Sequence, residues 1–188
     1  MNQIIENIGL TSVYTFEAFT RPDHINTATW DAMTGEERVE KGKLKWRDQN
    51  KNTVVNVGLD DVLDKYFKGS AYTAAFYVGL TDGTPTVAAT DTMASHAGWT
   101  EVVAYSEGVR QTLTLGTVAS QSVSNTASKA IYSINGTTTI GGAFTTTNST
   151  KSGSTGTLYG AAALTLGDKG LNSGDTLQVT VTLTAASA

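Results

Sequence analysis

Apolar and polar positions alternate most clearly near the C-terminal end. Leu177, Val179, Val181 and Leu183 are interleaved with Thr176, Gln178, Thr180, Thr182 and Thr184. Successive side chains of a strand point to opposite faces, so this run predicts a half-buried strand with a threonine outer face. Two β-rich runs, 129–134 and 137–144, flank Asn135-Gly136. Both residues of that dipeptide tolerate positive φ, which predicts a type I′ hairpin. Gly141-Gly142 inside the second run predicts a bulge. Further strands are predicted at 43–47, 53–57, 72–80, 101–105, 110–115 and 157–166, with turns at 81–85, 106–108 and 173–175. One helical turn is expected within 90–97.

One stretch carries the helical period instead. Leu59, Val62, Leu63, Tyr66 and Phe67 fall at i, i+3, i+4, i+7 and i+8 and form a single apolar stripe over 57–68. Asn56 suits the N-cap, Asp60 and Asp61 the positive end of the dipole, Lys65 and Lys68 the other end, and Gly69 the stop. Residues 1–10 read as a short strand or a loose arm. Residues 11–42 show no clean period, and Phe16, Phe19 and Trp30 sit in a charged stretch broken at Arg21-Pro22. The expected architecture is therefore mainly β: an antiparallel β-sandwich body, 43–188, with one prominent helix at about 57–68, preceded by an extended N-terminal arm, 1–42.

Composition narrows the chemistry. The 188 residues include no Cys and only two His. That excludes disulfides, thiolate zinc sites and a cysteine nucleophile. A formal net charge of −4 argues against binding nucleic acid by phosphate neutralisation. No apolar run approaches the ~18 residues of a membrane span, and the first residues lack a signal-peptide pattern, so no membrane association is expected. The charge is also uneven. Residues 1–69 hold 20 charged side chains, whereas 111–188 hold five among 18 Thr and 10 Ser. A neutral, hydroxyl-rich stretch with β-branched periodicity reads as a sheet and not as a disordered linker.

Candidate catalytic groups are sparse. Asp91, Ser95 and His96 lie too close in sequence for an ordinary triad, and G-x-S-x-G is absent. Asp23-His24 has no second ligand at helical spacing. Asp60, Asp61 and Asp64 lack the loop oxygens of a calcium site and read as solvated helix acids. Glu101 and Glu107 are conceivable as a glycosidase pair only if folding sets their separation. Tyr72, Tyr77, Trp99 and Tyr105 could supply stacking platforms for a glycan. Trp46, within the basic stripe Lys41, Lys43, Lys45 and Arg47, is a candidate partner anchor, as are Phe16, Phe19 and Trp30 of the arm. No cofactor or metal is expected.

Several segments together carry a family resemblance. They are KLKWRD (43–48), NVGLDDVLDKYF (56–67), YTAAFYVGL (72–80), DTMASHAGWTE (91–101), GAFTTTNST (142–150) and SGDTLQVTVT (173–182). Over roughly 40–184 the chain resembles small structural proteins of tailed-bacteriophage virions. The resemblance implies a non-enzymatic virion component made in the bacterial host cytoplasm. It implies a capsid decoration (cement) protein on the outer capsid surface, with the major capsid protein and neighbouring copies of itself as partners. A tail, tail-fibre or head–tail joining protein is the alternative.

Overall fold

A computed structural model of the chain describes residues 8–72 and 74–187. Strand β1 (Ile8–Thr20) is followed by two short helices, α1 (Thr27–Asp31) and α2 (Gly35–Lys41), and by β2 (Lys43–Lys51). β3 (Thr53–Val54) leads into α3 (Asn56–Val62), which continues into a π-helical turn, Leu63–Phe67. Next come β4 (Tyr77–Asp82), β5 (Thr100–Val102), β6 (Gln111–Thr112), β7 (Ser122–Ser124) and β8 (Ala130–Ser133). The chain ends through β9 (Thr138–Ile140), β10 (Gly142–Thr146), β11 (Leu158–Ala163), β12 (Lys169–Leu171) and β13 (Thr176–Ser187).

These strands build two antiparallel sheets. The first runs β2-β1-β13, with β8 and β7 both paired to the far edge of β13. The second runs β3-β11-β10-β4, with β6 and β5 both paired to the far edge of β4. β9 and β12 form a separate ribbon. The alternation in 176–184 does what it predicts. Leu177, Val179 and Val181 pair with Ala18, Phe16 and Tyr14, and all six are buried against Val78, Leu80, Ala143 and Ala162 of the second sheet. The outward residues pair in rows, Thr11 with Thr184, Val13 with Thr182 and Thr15 with Thr180, which gives a hydroxyl face. Tyr132 ties the sheets by donating across the core to the Val78 carbonyl at 2.8 Å. A second core lies on the other face of the second sheet, where Val55, Met93 and Trp99 cover Phe144, Leu158 and Ala161.

Three expectations are corrected. The first is the extended arm. Residues 1–7 lie outside the described residues, but β1 is an inner strand of the first sheet, paired to β13 from Ile8 to Phe19 and to β2 on its other side. The absence of a clean period misled, because β1 alternates with Tyr and Ser as well as Phe and Ala inside. Residues 27–41 then fold as α1 and α2 against the outer face of that sheet, beside Ile131 and Phe19. Asn26 caps α1, and a capping box of Thr34 and Glu37 starts α2.

The second correction is the Asn135-Gly136 hairpin. β8 pairs with β13, whereas β9 pairs with β12, so the dipeptide links two separate sheets. Gly136 is not among the residues with positive φ. Ile134 instead donates to Asp175 and Asn135 to the Ala104 carbonyl, and these bonds carry the chain out of the first sheet. Gly141 separates β9 from β10, since a side chain there would collide with the Gly83 backbone carbonyl. The third correction is the helical turn within 90–97. Thr92 and Ser95 form an isolated bridge across a tight turn there.

One buried acid closes the sandwich at its side. Asp48 of β2 accepts from the backbone N–H groups of Gln49 (2.6 Å), Thr165 (3.2 Å) and Leu166 (3.0 Å), the last two just beyond β11. Burial disfavours its charge, but the donors from Leu166, Thr165 and Gln49 outweigh that and hold its pKa below the ordinary carboxylate value. A group depressed in this way stabilises above its unfolded pKa, near 3.9, and the contribution is lost as pH falls through the folded value. Asp48→Asn turns an amide N–H₂ toward these donors and is expected to cost about 1–2 kcal/mol at neutral pH. In urea melts the gap to wild type should narrow at pH 3. A gap that persists at acid pH would mean that the charge of Asp48 is not what matters.

Candidate interaction surface

The helix predicted over 57–68 forms over 56–67, with its apolar stripe turned away from the core. It sits on β11 through Val55, Val57 and Gly58. Gly58 is buried against the backbone of Tyr159, close enough that a side chain would press into it. Asp61 accepts a hydrogen bond from the Tyr159 hydroxyl on the same side. Burial and this carboxylate push the Tyr159 phenol far up. With that face docked, the apolar stripe points outward. Leu63 is 55% exposed, Tyr66 81% and Phe67 74%, and Leu59 and Val62 are exposed as well. Lys68 donates to the Leu63 carbonyl at 3.3 Å, closing a wider π turn on which Tyr66 and Phe67 pack edge to face at 5.0 Å. Beside them lies an apolar groove of about 380 Å³, lined by Leu10, Tyr72, Phe76, Tyr159 and Leu183. Phe76 packs edge-on against Tyr159 at 4.9 Å.

The charges around this patch are local. Asp64 contacts Lys68 at 3.1 Å and Lys65 at 3.6 Å, and the Ser70 hydroxyl and Lys68 hold its pKa below the usual carboxylate value. Asp60 is exposed. A contiguous apolar patch of more than a few hundred Å² on a folded surface marks a contact site. With 150–250 Å² per large aromatic side chain, the exposed Leu59, Val62, Leu63, Tyr66, Phe67 and Tyr72 present roughly 600 Å².

The four predicted partner contacts lie elsewhere, and burial removes two of them, Phe16 and Trp30. Phe16 is 0% exposed and belongs to the core between the sheets. Trp30 is 1% exposed, lies beneath Arg38, and donates from Nε1 to the Gly174 carbonyl at 2.6 Å. Phe19 is half-buried near Gly42 and Trp30, and Trp46 is half-buried against the main core. Much of their apolar area is spent inside the molecule, because Phe16, Phe19 and Trp46 lie on sheet strands and α1 folds Trp30 inward. Two members of the basic stripe are paired, Lys45 with Asp175 at 2.7 Å and Arg47 with Glu17 at 3.7 Å.

Of the candidate catalytic residues, Asp91, His96, Glu101 and Glu107 are engaged in contacts within the fold. Asp91 accepts from the Ala88 N–H within its turn. Ser95 is exposed, and His96 stacks on Trp99 at 3.7 Å with Nδ1 toward the Trp99 carbonyl. A cavity of about 330 Å³ brings His96 and Glu101 together, yet both Glu101 oxygens are engaged by Arg110 and Oε2 also accepts from the Ser152 N–H. Glu107 accepts from the Ser133 N–H. Asp23 and His24 are exposed. Among the described residues, no group of three or more His, Asp or Glu is placed to hold a metal ion. Of the four glycan platforms, Tyr105 is buried and Trp99 is sandwiched between His96 and Phe144, whereas Tyr77 is half-buried and Tyr72 exposed.

No protein-family model matches the chain, and the search of curated proteins found no match.

Proposed function

We propose that the protein is a structural component of a tailed-bacteriophage particle, a decoration protein that binds and stabilises the major capsid lattice. The observation that carries this reading is the outward-facing apolar stripe of 59–67 on an otherwise well-packed β-body. A stripe of that size serves contact between macromolecules, and the sequence resemblance supplies the particle. The hydroxyl face of the first sheet suits the same role, because hydroxyls re-form hydrogen bonds on burial where charges need paired partners. Many copies on a lattice then gain avidity from modest individual contacts. The role needs no catalysis.

Particles of the parent phage give the test. Capsids that lack the protein are expected to open at lower temperature and to rupture more readily on osmotic shock. Copy number should be on the order of hundreds per capsid, as avidity on a lattice requires. A count of roughly 6–18 would move the protein to a ring or fibre of the tail or head–tail junction. Equal survival with and without the protein would refute the stabilising role.

A further inference from the structure

The stripe of α3 and its π-helical turn has no cover among the described residues of its own chain, and its charge order specifies one. Asp60, Asp61 and Asp64 precede Lys65 and Lys68 along the segment. Two such helices laid antiparallel bring the exposed Asp60 of one toward the lysine-bearing end of the other and oppose their macrodipoles, while Asp61 stays on Tyr159 and Asp64 on Lys65 and Lys68 of its own chain. Laid parallel, they set like charge against like. The surface is therefore complementary to itself under a two-fold rotation, which is the requirement of an isologous dimer. Its shape agrees. Phe67 stands out from the surface, and the groove walled by Val62, Tyr66, Tyr72, Phe76 and Tyr159 lies next to it, so each copy offers a knob and a hole on one face. The roughly 600 Å² of apolar area approaches the ~800 Å² per partner of a standard stable interface.

We infer that the protein self-associates through this stripe, with residues 56–67 packed antiparallel on the same segment of a second copy about a two-fold axis near Leu63. The inference rests on the stripe as a contact surface and not on the virion assignment. Phe67 of each copy enters the groove of the other, against the mate's Tyr66, and Leu63 meets its own symmetry mate at the centre.

The purified full-length chain is expected to sediment as a concentration-dependent dimer. Leu63→Glu places two carboxylates at the desolvated centre and is expected to weaken dimerisation by roughly 30-fold or more. Because Leu63 is exposed, the variant should keep the far-UV spectrum and melting temperature of the isolated fold. The chain has no Cys, so an introduced thiol reports its own position. Under mild oxidation Leu63→Cys should link to itself, and Leu59→Cys should link to Phe67→Cys in a mixture. Leu59→Cys should not link to itself, since its mates lie about 12 Å apart at 1.5 Å per residue. A monomeric wild type, a dimer indifferent to Leu63→Glu, or self-linked Leu59→Cys overturns the inference. A monomer whose Leu63→Glu variant no longer binds capsids assigns the stripe to the capsid protein instead, which leaves the virion reading standing. A dimer that never joins a particle does the reverse.

Discussion

Replacing Arg110 by Met is expected to destabilise the fold by about 3–5 kcal/mol, because it strands a buried carboxylate. Arg110 is 0% exposed and its partner Glu101 6% at the side chain. Nε and Nη2 hold the two Glu101 oxygens at 2.8 and 2.7 Å, a bidentate pair. The remaining donors reach the Asn148 carbonyl at 2.8 Å and the Gly153 carbonyl at 2.9 Å, and the guanidinium lies over Phe144. One side chain therefore fixes β5, the loop between β10 and β11, and the second core together. Met keeps volume but not charge, so Glu101 retains only the Ser152 N–H. For a chain of this size the loss corresponds to a melting temperature lower by about 6–20 °C. Proteolysis should open first at 147–157. Glu101→Gln combined with Arg110→Met should recover part of the loss, since a buried pair replaced whole is far less costly than one broken. A single-variant cost below about 1 kcal/mol would show that the loop is held by its own Asx bonds, such as Thr150 N–H to Asn148 Oδ1.

The clamp also marks where sequence reasoning stops. Glu101 lies on β5 and Arg110, nine positions on, in the loop that enters β6, and no local pattern joins them. The sandwich class, the strand at 176–184 and the helix at 56–67 were legible because each is written in a period that the chain itself displays. The sense of the helix was not. A stripe of Leu59, Val62, Leu63, Tyr66 and Phe67 signals an apolar face, but periodicity cannot say whether the face meets its own core or another molecule. The discriminating signal was Gly58. A glycine inside a helix costs about 1 kcal/mol relative to alanine, and here it marks the face that must approach β11 closely. Asn135-Gly136 failed for a related reason. The dipeptide encodes a permissive turn, while the hydrogen bonds that decide between hairpin and crossover come from residues 104 and 175. The partner contacts failed because an aromatic residue in a charged segment looks equally like an arm and like an irregular strand until its pairing partners are known.

Removal of residues 1–20 is expected to abolish folding outright, the reverse of what an accessory arm would do. β1 lies between β2 and β13, so its loss breaks two ladders and exposes the long inner edge of β13. An unpaired edge of alternating Val, Leu and Thr is a template for association with other chains. The same deletion removes Tyr14, Phe16 and Ala18, which supply much of the apolar face of the first sheet. Phe16→Ala tests the packing term alone and is expected to cost about 3–5 kcal/mol, since a buried phenyl ring leaves a cavity that the two sheets cannot fully close. The truncated chain should be recovered as aggregate or as a species without a cooperative melt, and a peptide covering 8–20, added during refolding, should restore soluble protein by occupying the vacant place beside β13. A truncated chain that melts cooperatively near the wild-type temperature would show that β1 is an addition to a complete domain. In that case Phe16→Ala would cost less than about 1 kcal/mol, and the two results would have to agree.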